Sequence, residues 1–159
     1  METLLITTDF SKTAANAALY AVELGKALGI RSIILYHSYD NAPKGTDIPV
    51  HEEDDTTLAH EGSLLALELL AGQLRTCLDE HTDIQLVSND LPLLFGVERL
   101  CGQHHVRLVV SGTTGKSGIT KFLLGSNTLN LADKCPVPLL VVPADAEFEP
   151  VRKIVFACA

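Results

Sequence analysis

Short apolar runs alternate along this chain with longer segments of helical period. The runs carry apolar residues at successive positions, which is typical of strands buried on both faces of a parallel sheet; they lie at 3–8, 32–38, 83–88, 106–111 and 138–142. Between them, apolar residues recur every three to four positions and predict helices at 12–28, 58–78, 93–104 and 126–135. The order βαβαβαβαβ predicts an α/β fold, a doubly wound, parallel five-stranded sheet with helices on both faces.

Polar residues mark the helix ends and the longest loop. Ser11 is expected to cap the first helix and Gly29 to end it. The polar stretch 39–55 predicts a long loop that could cover the end of the sheet. The acidic run at its end, 52–55, could bind a metal, but acidic residues are also favoured at a helix amino end, and we prefer that interpretation.

The predicted helix at 58–78 is unusually dense in leucine. Six leucines fall within eleven residues: Leu64, Leu65, Leu67, Leu69, Leu70 and Leu74. Burial against the sheet is the more frequent cause of such density, and a partner surface is the alternative.

Composition and charge exclude several classes of protein. With 159 residues, 47% hydrophobic and 20% charged, the chain has the size and composition of one globular domain. Its net charge of −8, without a run of basic residues, argues against a nucleic-acid partner. No apolar run approaches the about 20 residues of a membrane span, and no cleavable signal precedes the first strand, so we expect no membrane partner and a cytoplasmic location.

The four cysteines are far apart and form no C-x-x-C pair. Cys77, Cys101, Cys135 and Cys158 therefore suggest neither a zinc site nor a disulfide framework. We expect reduced, packed thiols.

A glycine motif follows the fourth predicted strand. Gly112-Thr113-Thr114-Gly115 ends that strand, and Gly125-Ser126 opens the last helix after a nine-residue gap. A strand that leads through glycines to a helix amino end leaves backbone N–H groups unpaired, which suits a phosphate. Glycine permits positive φ or close approach of a ligand, and Ser126 can serve as N-cap and donor.

Two better-known phosphate motifs do not fit this segment. Gly115-Lys116-Ser117 resembles the end of a Walker loop, but the required glycine five positions earlier is Val110, and no helix signal follows directly. No G-x-G-x-x-G occurs, so a dinucleotide fingerprint is absent.

The spacing G-x2-G-x9-G-[ST] resembles the ATP-binding motif of the universal stress protein family. Residues 4–11 resemble that family's first strand and turn, 33–37 its second strand, and 135–143 its closing strand. The resemblance implies a Rossmann-like domain of the adenine nucleotide alpha hydrolase-like type over residues 1–144.

The resemblance also implies a set of site residues at the carboxyl ends of the strands. Asp9 and Ser38 would lie by adenine and ribose, and Gly112, Thr113 and Gly115 would follow the ribose and phosphates. The phosphate chain would be held by Gly125, Ser126, Asn127 and Thr128, and Thr8 and Ser111 complete the set at the strand ends.

Several of these residues have a simpler alternative. Asp9 could merely cap the turn into the first helix. Lys116 and Lys121 could offset phosphate charge or could be solvated. We expect His37, and the adjacent pair His104-His105, to be surface or turn residues, because no third ligand lies at metal-binding spacing.

The expected function is that of an ATP-binding regulatory protein of the stress response, with ATP bound with or without Mg²⁺. The alternative is a scaffold that binds no nucleotide and pairs through the edge strand 138–142. With or without nucleotide, we expect a homodimer or pseudo-dimer through this strand, because an exposed apolar edge is a liability unless it is paired. A third option is slow ATP hydrolysis or self-phosphorylation, but efficient hydrolysis needs a base and a placed Mg²⁺. Since Asp9 is the one acidic candidate, we expect no enzymatic activity beyond a negligible turnover.

The last residues repeat the character of the first. After a linker at 145–150, residues 151–159 resemble the opening strand 3–8. We expect these residues to be the first strand of a truncated second repeat of a tandem protein.

Overall fold

In the part of the chain that the structure describes, the alternating elements form one five-stranded sheet with four helices. The computed structural model describes residues 2–39, 52–113 and 126–155. The elements in chain order are β1 Thr3–Thr7, α1 Lys12–Leu28, β2 Ser32–Ser38, α2 Glu52–Arg75, β3 Asp83–Asn89, α3 Leu93–Gln103, β4 Val106–Gly112, α4 Ser126–Lys134 and β5 Leu139–Val142. The predicted fold class is confirmed.

The strand order reverses in the middle of the sheet. All neighbours are parallel, in the order β3-β2-β1-β4-β5. The chain therefore runs outward from β1 through β2 to β3, returns through α3, and continues on the other side through β4 to β5. This reversal separates the loops that follow β1 and β4 and opens a crevice between them.

Each face of the sheet is covered by two helices. On one face, α1 and α2 bury alanine and leucine against the alternate strand residues Leu4, Ile6, Ile33, Leu35 and Val110. On the other face, α3 and α4 cover Leu5, Ile34, Tyr36 and Val109. Both orientations of β1 side chains are buried, as the continuous apolar run predicts.

The predicted ends of α1 are confirmed. The Ser11 hydroxyl oxygen accepts a hydrogen bond from the Ala14 N–H at 3.1 Å. Gly29 has a left-handed backbone with φ of 69°, and its N–H bonds to the carbonyl groups of the last turn. A residue with a Cβ would be strained at this φ, so glycine is the residue that ends the helix at least cost.

α2 differs from its predicted bounds at both ends. It begins at Glu52 and ends at Arg75, so the acidic run belongs to the helix and the predicted loop is too long by these residues. Acidic residues at a helix amino end are favoured by its dipole, which explains the earlier start. Residues 40–51 of the predicted loop, and the side chains at 52–56, lie outside the described part of the chain. None of the described helices is both long and apolar enough to cross a bilayer.

The cysteines of the described ranges are free thiols. Cys77, Cys101 and Cys135 are half-buried and pack at the edges of the two cores. Burial raises the pKa of the Cys101 thiol to about 11, so it stays protonated and inert at neutral pH. Cys158 lies outside the described residues.

The segment after β5 returns to α1. The Asn16 side-chain amide donates to the carbonyl oxygens of Pro143, at 3.3 Å, and Ala146, at 2.9 Å. Phe148 packs edge-on against the ring of Tyr20, with the ring centroids 5.3 Å apart. This polypeptide stretch is therefore tied to the outer side of α1.

Residues 151–155 are exposed and form no strand with any described part of the chain. The predicted strand at 151–159 is thus not formed over these five residues, and 156–159 lie outside the description. A single strand cannot pair its backbone groups without a neighbour, so exposure is the expected state of such a segment. The second repeat stays a prediction.

Gly96 on α3 makes room for the most buried aromatic side chain. Tyr36 is fully buried on β2, and its hydroxyl donates to the Asn89 side-chain oxygen at 2.8 Å. A Cβ at position 96 would overlap with the Tyr36 hydroxyl oxygen and ring. The helix can lie this close to the sheet because residue 96 is glycine.

We expect Gly96→Ala to destabilise the fold by about 2–4 kcal/mol, because Tyr36 would have to move and lose its hydrogen bond. Gly102→Ala on the same helix is the matched control. Nothing lies within 4 Å of a Cβ there, so it should stabilise the chain by up to about 1 kcal/mol. Urea denaturation of both variants measures the difference, and equal effects would contradict the packing role of Gly96.

Candidate functional site

A polar cavity occupies the crevice at the reversal of strand order. Its volume is about 270 Å³. The walls come from the carboxyl ends of β1, β2 and β4 and from the first turns of α1, α3 and α4. Ligands of doubly wound sheets bind at this position.

The structure brings most of the predicted site residues together. Thr8, Asp9, Ser38, Ser111, Gly112, Thr113, Ser126, Asn127 and Thr128 all line the cavity. Gly115 and Gly125, as well as Lys116 and Lys121, lie outside the described residues. The amino and carboxyl sides of the glycine motif thus meet at one cavity although thirteen residues separate Gly112 from Ser126.

The turn between β1 and α1 is held by its own side chains. The Thr8 hydroxyl oxygen accepts from the Phe10 N–H at 3.0 Å, and the Asp9 Oδ1 accepts from the Ser11 N–H at 3.0 Å. Phe10 has a positive φ of 60°, which is uncommon for a residue with a large side chain. Asp9 therefore has the capping role that the sequence allowed, and its exposed carboxylate also borders the cavity.

Gly112 avoids a tight contact between β4 and α1. A Cβ at this position would lie 3.0 Å from the Thr13 carbonyl oxygen and 3.2 Å from the Ala14 nitrogen. Both are backbone atoms in the first turn of α1, so they cannot move aside cheaply. Gly112 does not have a positive φ. The sequence allowed two reasons for a glycine here, a positive φ or a close approach. The structure shows a close approach, and it is made by the backbone of α1.

The last residues of β4 and the first residues of α4 form the opposite wall. The Thr113 N–H donates to the Val142 carbonyl oxygen at 3.0 Å, which keeps Thr113 in line with the sheet. The described part of α4 runs from Ser126 to Lys134, and Ser126, Asn127 and Thr128 at its start line the cavity. The N–H groups at a helix amino end have no partner within the helix, so this end of α4 can offer donors to a ligand.

His37 lies in the cavity wall within a hydrogen-bonded chain. Its Nδ1 is 2.7 Å from the Ser63 hydroxyl oxygen, which is 2.5 Å from the Ser88 hydroxyl oxygen. The Phe10 ring packs against the imidazole with the centroids 4.4 Å apart. Burial lowers the pKa of His37, while the Asp9 carboxylate partly opposes this effect. The imidazole is therefore neutral at pH 7.

Ser38 ties the end of β2 to the connection that enters α3. Its hydroxyl donates to the Leu91 carbonyl oxygen at 2.5 Å. The Leu91 N–H in turn donates to the Asn89 side-chain oxygen, which also accepts from Tyr36. These bonds fix the start of α3, where Pro92 and Leu93 line the cavity.

Hydroxyl groups dominate the lining. Nine of the sixteen residues around the cavity are serine or threonine: Thr7, Thr8, Ser11, Thr13, Ser38, Ser111, Thr113, Ser126 and Thr128. Asp9 is the one residue among these sixteen that is charged at pH 7. Within the described ranges, no group of three or more His, Cys, Asp or Glu could hold a metal ion. The cavity is built for a polar ligand that forms many hydrogen bonds.

The family model for the universal stress protein family matches residues 1–143. The chain belongs to this family. Comparison with curated protein sequences gave no match.

Solved structures share the fold of this universal stress protein. UspA from Lactobacillus plantarum has 17% identity and a TM-score of 0.68, and the alignment covers 89% of this chain and 97% of UspA. A universal stress protein in complex with cAMP has 20% identity and a TM-score of 0.61, with 89% and 96% covered. The protein from Archaeoglobus fulgidus in complex with dAMP has 16% identity and a TM-score of 0.55, with 89% and 97% covered.

The sequence missed part of the wall in this universal stress protein. The expectation that His37 is a surface or turn residue is wrong, since it is half-buried in the cavity wall. Its place next to Ser38 at the end of β2 is the signal that could have found it. Ser11 and Thr13 were also missed, because the first turn of α1 bends over the same crevice. His104 and His105 do lie at the turn between α3 and β4.

The half-buried His37 gives the stress protein a pH-dependent stability. With a folded-state pKa below the ordinary about 6.5, the unfolded chain takes up the proton first. The contribution of neutral His37 to the free energy of unfolding is therefore complete above about pH 6.5 and is lost as the pH falls below it.

We expect His37→Gln, which can still bond to Ser63, to lose less stability between about pH 7.5 and pH 5 than the parent chain. Urea denaturation at both pH values measures this difference. His81→Gln, at an exposed position, is the control. The assignment fails if the parent and His37→Gln lose the same stability on acidification.

Proposed function

We propose that this chain binds an adenine nucleotide, ATP with or without Mg²⁺, and acts as a regulatory protein of the universal stress response. The observation that supports this most is the cavity at the reversal of strand order. It is lined by nine of the residues that the resemblance to the family implies. A second support is that two universal stress proteins with this fold were solved in complex with cAMP and dAMP.

The phosphates would lie at the α4 end of the cavity. Ser126, Asn127 and Thr128 stand at the start of the described part of that helix and line the cavity. Unpaired N–H groups and the helix dipole at a helix amino end would favour an anion there. None of the described lining residues is a lysine or arginine, so N–H and hydroxyl donors would carry the recognition. Gly115, Gly125 and the lysines at 116 and 121 would complete this side.

Adenine and ribose would lie nearer β1 and β2. The Asp9 carboxylate uses Oδ1 in the turn and is exposed, so it can accept from ribose hydroxyl groups. Ser38 and neutral His37 border the same part of the cavity. Polar but uncharged groups suit a neutral base.

We infer that the bound nucleotide is a signal and not a substrate. Asp9 is the one carboxylate among the described lining residues, and one of its oxygens already holds the turn. Efficient phosphoryl transfer needs a group that orients the nucleophile and normally a placed Mg²⁺. Turnover would therefore be negligible.

A scaffold without nucleotide is the second candidate. Over the residues that the structure describes, β5 pairs with β4 alone and forms one edge of the sheet, with three of its four residues half-buried. An apolar edge of this kind can pair with another chain, so residues 138–142 are the place for a homodimer or pseudo-dimer. Failure of the complete protein to bind ATP in the micromolar range would favour this candidate.

We expect Ser126→Asp to weaken ATP binding by at least about tenfold, because a carboxylate would stand where the phosphates bind. The fold should tolerate the change, since aspartate is favoured in the first turn of a helix. Isothermal titration calorimetry measures the affinity, and thermal denaturation checks the fold.

Ser126→Asn is the matched control, as it has the same shape without the charge. Its affinity should remain within a few-fold of the parent chain. Gly125→Val should abolish binding by intrusion of its side chain. Equal affinities of the Asp and Asn variants, or undiminished binding by Gly125→Val, would refute the phosphate assignment.

A further inference from the structure

α2 carries an apolar stripe on the side that faces away from the sheet. Leu67, Leu70 and Leu74 are buried, whereas Leu58, Leu65 and Leu69 are 60–66% exposed. The three exposed leucines lie on one side of the helix, because they are spaced by seven and four residues. Burial against the sheet thus explains only part of the leucine density of this helix, since the exposed leucines do not contact the sheet.

Two glycines extend the stripe. Gly62 and Gly72 lie on the same side of α2 as the leucines, and nothing lies within 4 Å of a Cβ at either position. Glycine inside a helix costs about 1 kcal/mol relative to alanine. A flat surface at these two positions allows another helix to approach closely.

The stripe matches itself in the antiparallel direction. Suppose that two copies of α2 run antiparallel about a two-fold axis that is level with position 67. Leu65 of one copy would then lie opposite Leu69 of the other, and Gly62 would lie opposite Gly72. An isologous dimer requires this kind of self-complementarity, since the same surface must serve both copies.

Charges beside the stripe follow the same symmetry. Glu61, Glu68 and Arg75 are exposed along one border of the leucines. In an antiparallel pair, this border of one helix lies beside the same border of the other. Glu61 of each copy then faces Arg75 of the other, with an offset along the helix of about half a turn. The two Glu68 carboxylates meet near the axis and oppose the contact.

We propose that the leucine stripe of α2 binds a second copy of this chain in an antiparallel helix pair. The contact leaves both the nucleotide cavity and the β5 edge free, because it lies on the outer surface of α2. A single helix pair buries less than the about 1,600 Å² of a standard interface, so the dimer is weak and depends on concentration.

Sedimentation equilibrium of the full chain, from about 1 µM to about 1 mM, tests the proposal. Leu65→Ala/Leu69→Ala should weaken the dimer by at least about a hundredfold, since four leucines leave the contact. Arg75→Glu should weaken it by about tenfold. By symmetry the dimer contains two Glu61–Arg75 pairs, and the substitution turns both attractions into repulsions. Glu61→Arg/Arg75→Glu should restore the parent affinity, and Glu68→Gln should raise it.

The control is Glu98→Arg, an exposed charge reversal on α3 at the opposite face of the sheet, which should leave the affinity unchanged. A chain that stays monomeric throughout overturns the proposal. So does self-association that the α2 variants leave at the parent affinity, since a surface other than α2, such as β5, would then account for all of it. Failure of the charge swap to restore the affinity refutes the antiparallel arrangement.

Discussion

The parallel pairing of β1 with β4 is the constraint on which this molecule depends. These two strands are neighbours in the sheet although about a hundred residues separate them in the chain. Because α1 and α4 lie on opposite faces of the sheet, a crevice opens between the carboxyl ends of β1 and β4. The cavity is a consequence of strand order, and its residues come together only when this pair has formed.

The walls of the cavity are held by contacts that leave its interior open. Gly112 lets the end of β4 touch the first turn of α1, and Ser38 anchors the start of α3 to β2. On the third side, the turn after β1 satisfies its own N–H groups through Thr8 and Asp9. A ligand would thus meet a preformed wall, which lowers the ordering cost of binding.

Much of the fold could be predicted because local patterns agree with it. The continuous apolar runs gave the strands, and Ser11 and Gly29 gave the ends of α1. The start of α2 was missed because an acidic run suits a loop and a helix amino end equally well. The exposed half of the leucines in α2 could not be separated from the buried half without the position of the sheet.

Site residues that belong to a known motif could be predicted, whereas residues that reach the site through tertiary packing could not. Ser111 through Thr113 and Ser126 through Thr128 are implied by the resemblance to the family, which the glycine spacing carries, and they line the cavity. His37 is not implied in this way, because its environment comes from Ser63 on α2 and Phe10 in the turn after β1. Likewise, the reason for Gly112 is the backbone of α1, which no pattern around residue 112 reveals.

The two hydrogen bonds that the Asn16 amide donates to the segment after β5 have a mechanical consequence. Asn16 lies only about one turn from the start of α1, and the first residues of that helix border the cavity. Tension on the polypeptide beyond Phe148 would therefore act on α1, through Tyr20 and Asn16, as well as on β5. The segment after β5 is thus coupled to the helix whose first turn borders the cavity.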